Sequence, residues 1–122
     1  MSTLVQSELF FLDSPRGEAE EIGEGLYRTL LGFDDKLMMA KVWFDKGAVG
    51  EVHAHHHSQV TYVVSGKFEV EVDGRKQVLE GGGCFFVPSM AMHGAVCLEP
   101  GILLDVFSPV REDFLDVEGG QP

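Results

Sequence analysis

The stretch KFEVEVDGRKQV, residues 67–78, constrains the fold more than any other part of the chain. Phe68, Val70 and Val72 alternate with Lys67, Glu69 and Glu71, so an extended strand here has one apolar and one charged face. Asp73-Gly74 follows, the dipeptide that favours a two-residue hairpin turn. The same cadence runs through the chain. Strands are expected over 23–32, over 36–45 before a turn at Lys46-Gly47, and over 59–66. Further segments read RKQVLEGGG from Arg75, CFFVP from Cys84, AVCLEPG from Ala95 and ILLDVFSP from Ile102. Gly and Pro punctuate these segments at roughly ten-residue spacing, which predicts an all-β sandwich or barrel. The one helical element expected is a short turn in the tail VREDFLDVEGGQP. Periodicity does not separate a jelly roll from other sandwiches. We expect a single domain over 1–122, with an N-terminal arm at 1–20, a barrel over about 21–110 and a short C-terminal tail.

With 122 residues, 44% of them hydrophobic, the chain is long enough to bury a core. Its formal charge of −11 argues against nucleic acid and anionic membranes as partners, since both call for a basic surface. A small anionic substrate stays compatible, because a metal and one or two arginines make a locally positive pocket. No apolar run approaches the roughly 20 residues of a membrane span, and MSTLVQSELF lacks a signal-peptide pattern. A cytoplasmic location is therefore expected, and Cys84 and Cys97 read as reduced thiols.

HAHHHSQ, residues 53–59, holds four of the five histidines. It lies mid-chain between apolar segments, so it is not a terminal tag. On an extended strand His53 and His55 share a face, as would His57. Gln59 offers an amide oxygen, and His93, after VPSMAM, completes a set of three nitrogens and one oxygen if its turn lies beside the first strand. The alternative is a solvated histidine cluster or a weak metal scavenger. Further on, strand parity puts Asp105, Phe107 and Pro109 on one face. With Ile102 and Leu104 on the opposite, core-packed face, an acid points into an apolar barrel, where it must be paired, metal-linked or functional. An Asp105–Arg111 ion pair at the barrel rim is the structural alternative.

These residues resemble the cupins. Their first motif, G-x5-H-x-H-x3/4-E-x6-G, is matched by Gly47, His53, His55, Gln59 and Gly66, with Gln in place of Glu. The second, G-x5-P-x-G-x2-H-x3-N, is met by Gly82, Pro88 and His93, with Met90 where Gly is usual and Cys97 where Asn is usual. The resemblance implies a double-stranded β-helix, a jelly-roll barrel, holding one divalent metal on His53, His55, Gln59 and His93, with His56 and His57 as non-ligands. Nickel, zinc, manganese and iron all accept such ligands. A neutral Gln ligand leaves more positive charge on the metal, which favours acid–base chemistry over redox cycling with dioxygen.

The Gln-substituted motif together with D-x-F-S-P-x-R-x-D-F, residues 105–114, is similar to the pectin-degradation cupins of the KdgF type. These convert cyclic 4,5-unsaturated uronate monosaccharides, the products of pectin and alginate lyases, to linear keto-uronates. The resemblance implies Asp105 as the proton-transfer group, Arg111 as the catalytic and carboxylate-binding cation, and Phe107 as a ring-packing wall. It implies a small sugar-acid substrate and no organic cofactor. It also implies a homodimer paired through edge strands, for which the apolar arm LFFL (9–12) is suited. The alternatives are an iron-dependent dioxygenase on the same scaffold and a non-catalytic sugar- or metal-binding module.

Overall fold

A computed structural model describes residues 6, 7 and 9–115. The remainder of the expected arm and tail lies outside these. Eight strands form among the described residues: β1 (Glu20–Gly23), β2 (Leu26–Phe33), β3 (Met38–Phe44), β4 (Val49–His53), β5 (Ser58–Val72), β6 (Arg75–Glu80), β7 (Cys84–Val87) and β8 (His93–Ser108). Helical structure is confined to short 3-10 turns at Arg16–Glu18 and Glu112–Phe114. The expected all-β architecture is present, and Asp73 and Gly74 both take positive φ, 53° and 82°, as the β5–β6 hairpin requires.

Every strand pairing is antiparallel. The order is β1-β2-β3-β8-β5-β6, with β4 also on β8 and β7 also on β5. Two long strands organise the molecule. The first half of β8 lies between β4 and the second half of β5; its second half lies between β3 and the first half of β5. Changing neighbours midway carries both strands across two faces of a barrel. The exchange point is a backbone contact between Gly66 and Gly101. Gly66 has φ 87°, and a Cβ there would stand 2.6 Å from the Gly101 Cα and the Pro100 carbonyl oxygen. Ser65-Gly66 and Pro100-Gly101, read in sequence as strand ends, are thus bulges inside continuous strands.

The barrel interior follows from strand alternation. On β5, Phe68 and Val70 are buried and Glu69 is not, as the alternation predicts. On β8 the inward row is Leu103, Asp105 and Phe107. Ile102 and Leu104 take the outer face, so the apolar packing beside Asp105 comes from its own face and not from theirs. Two apolar clusters result. One contains Val42, Phe44, Val63, Phe68 and Leu103; the other contains Met38, Ala40, Phe107 and Val110. Register aligns the inward rows across β2, β3, β8 and β5: Arg28–Val42–Leu103–Val63, then Leu30–Ala40–Asp105–Thr61. Polar side chains thereby enter the interior between two apolar clusters, and this is where the site lies. Phe10 and Phe11 of the arm are exposed.

Candidate metal centre and cavity

β4 ends at His53, whose register partner is His93 at the start of β8. This pairing, between residues 40 apart in the chain, puts their ring centroids 4.4 Å apart. His55 joins them, with its ring 4.7 Å from that of His93 and 5.4 Å from that of His53. One nitrogen from each of the three lies within 4.8 Å of the others. The expected convergence occurs, but not by strand parity alone. The chain leaves the strand after His53, and residues 54–57 form a bend. His55 is therefore aimed by that bend, and His57 escapes the shared face. It is buried, and its Nε2 lies 2.9 Å from Glu112 Oε1. Glu112, mostly exposed, is held below the usual carboxylate range by that hydrogen bond.

The hydrogen bonds around the three imidazoles decide which nitrogen faces inward. His53 Nδ1 meets the Glu51 carbonyl at 2.8 Å, His55 Nδ1 the His57 carbonyl at 3.0 Å, and His93 Nδ1 the Ala91 carbonyl at 3.0 Å. A carbonyl only accepts, so each Nδ1 carries the proton and each Nε2 presents a lone pair. Burial, and after it the Arg111 charge, pushes the His55 pKa down to about 4; burial also lowers that of His93. Both are therefore neutral at physiological pH. His93 Nε2 is buried with no hydrogen-bond partner.

Gln59 completes the set. Its amide Nε2 donates to Thr61 Oγ1 at 2.8 Å, and the Thr61 hydroxyl donates to Asp105 Oδ1 at 2.6 Å. The direction of that chain turns Gln59 Oε1 toward His55 Nε2, 3.1 Å away. Two acceptors then face each other without a proton between them, beside an unpartnered His93 nitrogen. A cation satisfies all of these groups at once, so the residues fit a divalent metal held by three imidazoles and one amide oxygen.

Asp105 is buried on β8, and burial pushes its pKa up to about 6, against the opposing pull of the Thr61 hydroxyl, Arg111 and Arg28. It does not pair with Arg111 directly. The Arg111 guanidinium instead binds Asp113 through both prongs, Nε to Oδ1 at 2.9 Å and Nη2 to Oδ2 at 2.6 Å. The Asp113 carboxyl is held below its ordinary range by that contact. Arg111 also lies over the Phe114 ring, 4.1 Å from its centroid, and Phe107 packs edge-on to Phe114 and His55. The D-x-F-S-P-x-R-x-D-F stretch thus folds as one unit: Asp113 clamps Arg111, and Phe107 and Phe114 wall it.

These groups line a cavity of about 250 Å³, which includes His53, Gln59, His93, Asp105, Phe107 and Arg111. That is slightly below the usual range of small-molecule sites and of the scale of a monosaccharide. Sequence reasoning missed three contributors. Thr61 lay in a strand read only as β-branched and aromatic. Phe114 lay in the tail. Arg28, which also lines the cavity, occupies an inward position between Leu26 and Leu30, and that break in the apolar alternation was its signal.

Residues 41–107 match the cupin domain family. That span holds the three histidines, Gln59, Thr61 and Asp105, but not Arg28, Arg111 or Phe114. The chain is 46% identical over 98 residues to the pectin degradation protein KdgF of Dickeya dadantii (strain 3937), covering 79% of this chain and 89% of that protein. Among solved structures, it resembles an RmlC-like cupin from Shewanella frigidimarina NCIMB 400 with a TM-score of 0.86 and 57% identity, covering 92% of this chain and 100% of that one. It resembles KdgF from Halomonas sp. with a TM-score of 0.78 and 44% identity, covering 80% and 93%.

Proposed function

The chain belongs to the cupin family, within the group that includes KdgF, and from that membership we propose that it converts cyclic 4,5-unsaturated uronate monosaccharides to their linear keto-uronates. The observation that carries this reading is Asp105, a desolvated carboxyl with a pKa near 6 that lines the same cavity as His53, Gln59 and His93.

The reaction moves one proton from oxygen to carbon. Asp105 takes the proton of the hemiacetal hydroxyl as the bond between that carbon and the ring oxygen breaks. It returns the proton to C4 as the resulting enolate becomes a ketone. A carboxylate with a pKa near 6 suits both halves, being ionised at neutral pH yet still an effective acid once protonated. His53, His55, Gln59 and His93 would hold a divalent metal, which when bound polarises substrate oxygens and stabilises charge developing on them. Arg111 supplies positive charge at the cavity wall for the substrate carboxylate, with its plane set by Asp113 and Phe114. Phe107 offers an apolar face to the sugar ring.

The test is a fresh lyase digest of polygalacturonate, mixed with metal-loaded protein and followed by loss of the unsaturated-ring absorbance. Acceleration over buffer, equal with and without air, is expected. No acceleration with metal bound would end this reading, and dependence on oxygen would transfer the site to dioxygenase chemistry. Pairing of two copies through edge strands, covering Phe10 and Phe11, belongs to the same reading, and sedimentation analysis checks it.

A further inference from the structure

We propose that Arg28 joins Arg111 in receiving the anionic group of the ligand in this cavity, and is the guanidinium whose donors are free to grip it. The assignment rests on the reading of the cavity as a sugar-acid site. It adds a second guanidinium whose state differs from that of Arg111.

Arg28 stands on the inward row of β2, opposite Val42 of β3, where Leu26 and Leu30 on either side conform to the apolar pattern. A half-buried cation at such a position carries a desolvation cost unless it is paired. Yet among the described residues Arg28 has no carboxylate within ion-pair distance and no hydrogen-bonded side-chain partner, and its Nε is sealed from solvent without an acceptor. Burial accordingly works against its charge, although a guanidinium stays protonated. Its close partner is the Phe114 ring, with the guanidinium carbon 3.8 Å from the centroid. Stacking on a ring fixes the plane of a guanidinium and leaves its in-plane donors for a planar anion.

Arg111 is the contrast. It meets the same ring, but Asp113 occupies its Nε–Nη2 edge and offsets part of its charge. Of the two guanidiniums lining the cavity, Arg28 is the one with no carboxylate in ion-pair contact; Glu20, its register partner on β1, and Asp113 and Asp105 act on its charge only from longer range. Its location also bears on specificity. Arg28 lies outside the segment that matches the cupin domain at large, on a strand that adds a charged side chain to the cavity wall. Asp105 is one inward row away and two strands across. An acid gripped at Arg28 therefore spans the interior toward the proton-transfer group.

The experiment is calorimetric titration of metal-loaded protein with galacturonate, a stable saturated sugar acid, and with galactose, its uncharged counterpart. The parent should bind galacturonate in preference. Arg28→Met should weaken galacturonate about tenfold or more, the size expected for a lost charge-assisted pair, and leave galactose unchanged. Metal content and a cooperative melt confirm that the variant is folded. If Arg28→Met does not fold, Arg28→Lys, which keeps the charge and loses the fork, should still weaken galacturonate measurably. Parent-like galacturonate affinity in a folded variant overturns the assignment, and so does a parent that fails to prefer the acid. If galacturonate binding depends on Arg28 but the parent does not accelerate ring loss in the lyase digest, the linearising reaction falls and the anion site stands.

Discussion

Thr61 on β5 and Asp105 on β8 are cross-strand partners whose side chains meet at 2.6 Å, and the same Thr61 oxygen accepts the Gln59 amide N–H at 2.8 Å. One fully buried hydroxyl thus orients a candidate metal ligand and holds down the pKa of the candidate proton carrier. Thr61→Val keeps the shape and removes both bonds. It should lower metal affinity by roughly tenfold or more, as outer-sphere substitutions do, and raise the Asp105 pKa. Thr61→Ser should retain both properties. Metal titration and a pH profile of the two variants check this; a Thr61→Val variant with parental values for both would show the hydroxyl to be a packing group.

The neighbouring histidines should separate cleanly. His53→Ala, His55→Ala and His93→Ala each remove one of three converging nitrogens, so elemental analysis after dialysis should show loss of stoichiometric metal. His57→Ala should keep the metal and lower stability by roughly 1 to 3 kcal/mol, chiefly through loss of its buried ring packing, with its bond to the mostly exposed Glu112 a minor part. Equal metal loss in all four would contradict the proposed ligand set.

Asp105 makes stability depend on pH with a definite sign. Its folded pKa, about 6, lies above its ordinary value of 3.8, so the folded state binds the extra proton between those limits. The Asp105 contribution to the stability of the metal-free protein should therefore decline as pH rises from about 4 to 6 and level off above. His55 and His93, whose pKa values are lowered, act in the opposite sense over the same range, so the Asp105 contribution is read as the difference between the parent and Asp105→Asn. Asp105→Asn should match the parent below pH 4 and exceed it above pH 6 by on the order of 2 kcal/mol, measured by urea unfolding. Metal loading, by adding positive charge nearby, should move the parent's transition to lower pH. The same substitution should abolish accelerated ring loss.

Met90 has a φ of 70°, a left-handed conformation that side chains resist, at the position where the cupin pattern carries glycine. Its backbone N–H donates to the His55 carbonyl at 2.7 Å, which ties this turn to the bend that aims His55. Met90→Gly keeps that bond and relieves the strain. Thermal unfolding should show stabilisation of up to about 1 kcal/mol, and a lower melting temperature would refute the strain argument.

Much of the fold was legible because it is locally written. Alternation marked the inward face of β5 at Phe68 and Val70, and Asp73-Gly74 marked a hairpin. The spacing from Gly47 through His53, His55 and Gln59 to Gly66 identified the motif. Other features misled because the deciding contact is remote. Ser65-Gly66 and Pro100-Gly101 look like turns in isolation, yet they meet each other and become bulges in unbroken strands. Parity grouped His57 with His55, but a bend intervenes and Glu112, 55 residues away, captures the buried ring. Arg111 read as a carboxylate-binding cation or as the ion-pair partner of Asp105, and Asp113 instead lies across its fork.

The sequence alone determined which segments extend, where they turn and which donor types sit at metal-binding intervals, because these depend on neighbours a few residues apart. Only the tertiary structure decided that β4 sets His53 against His93, that Thr61 links Gln59 to Asp105, and that Arg28 faces the cavity with no carboxylate in direct contact. Those outcomes come from strand register between distant segments, fixed jointly by burial of apolar faces and pairing of every backbone polar group.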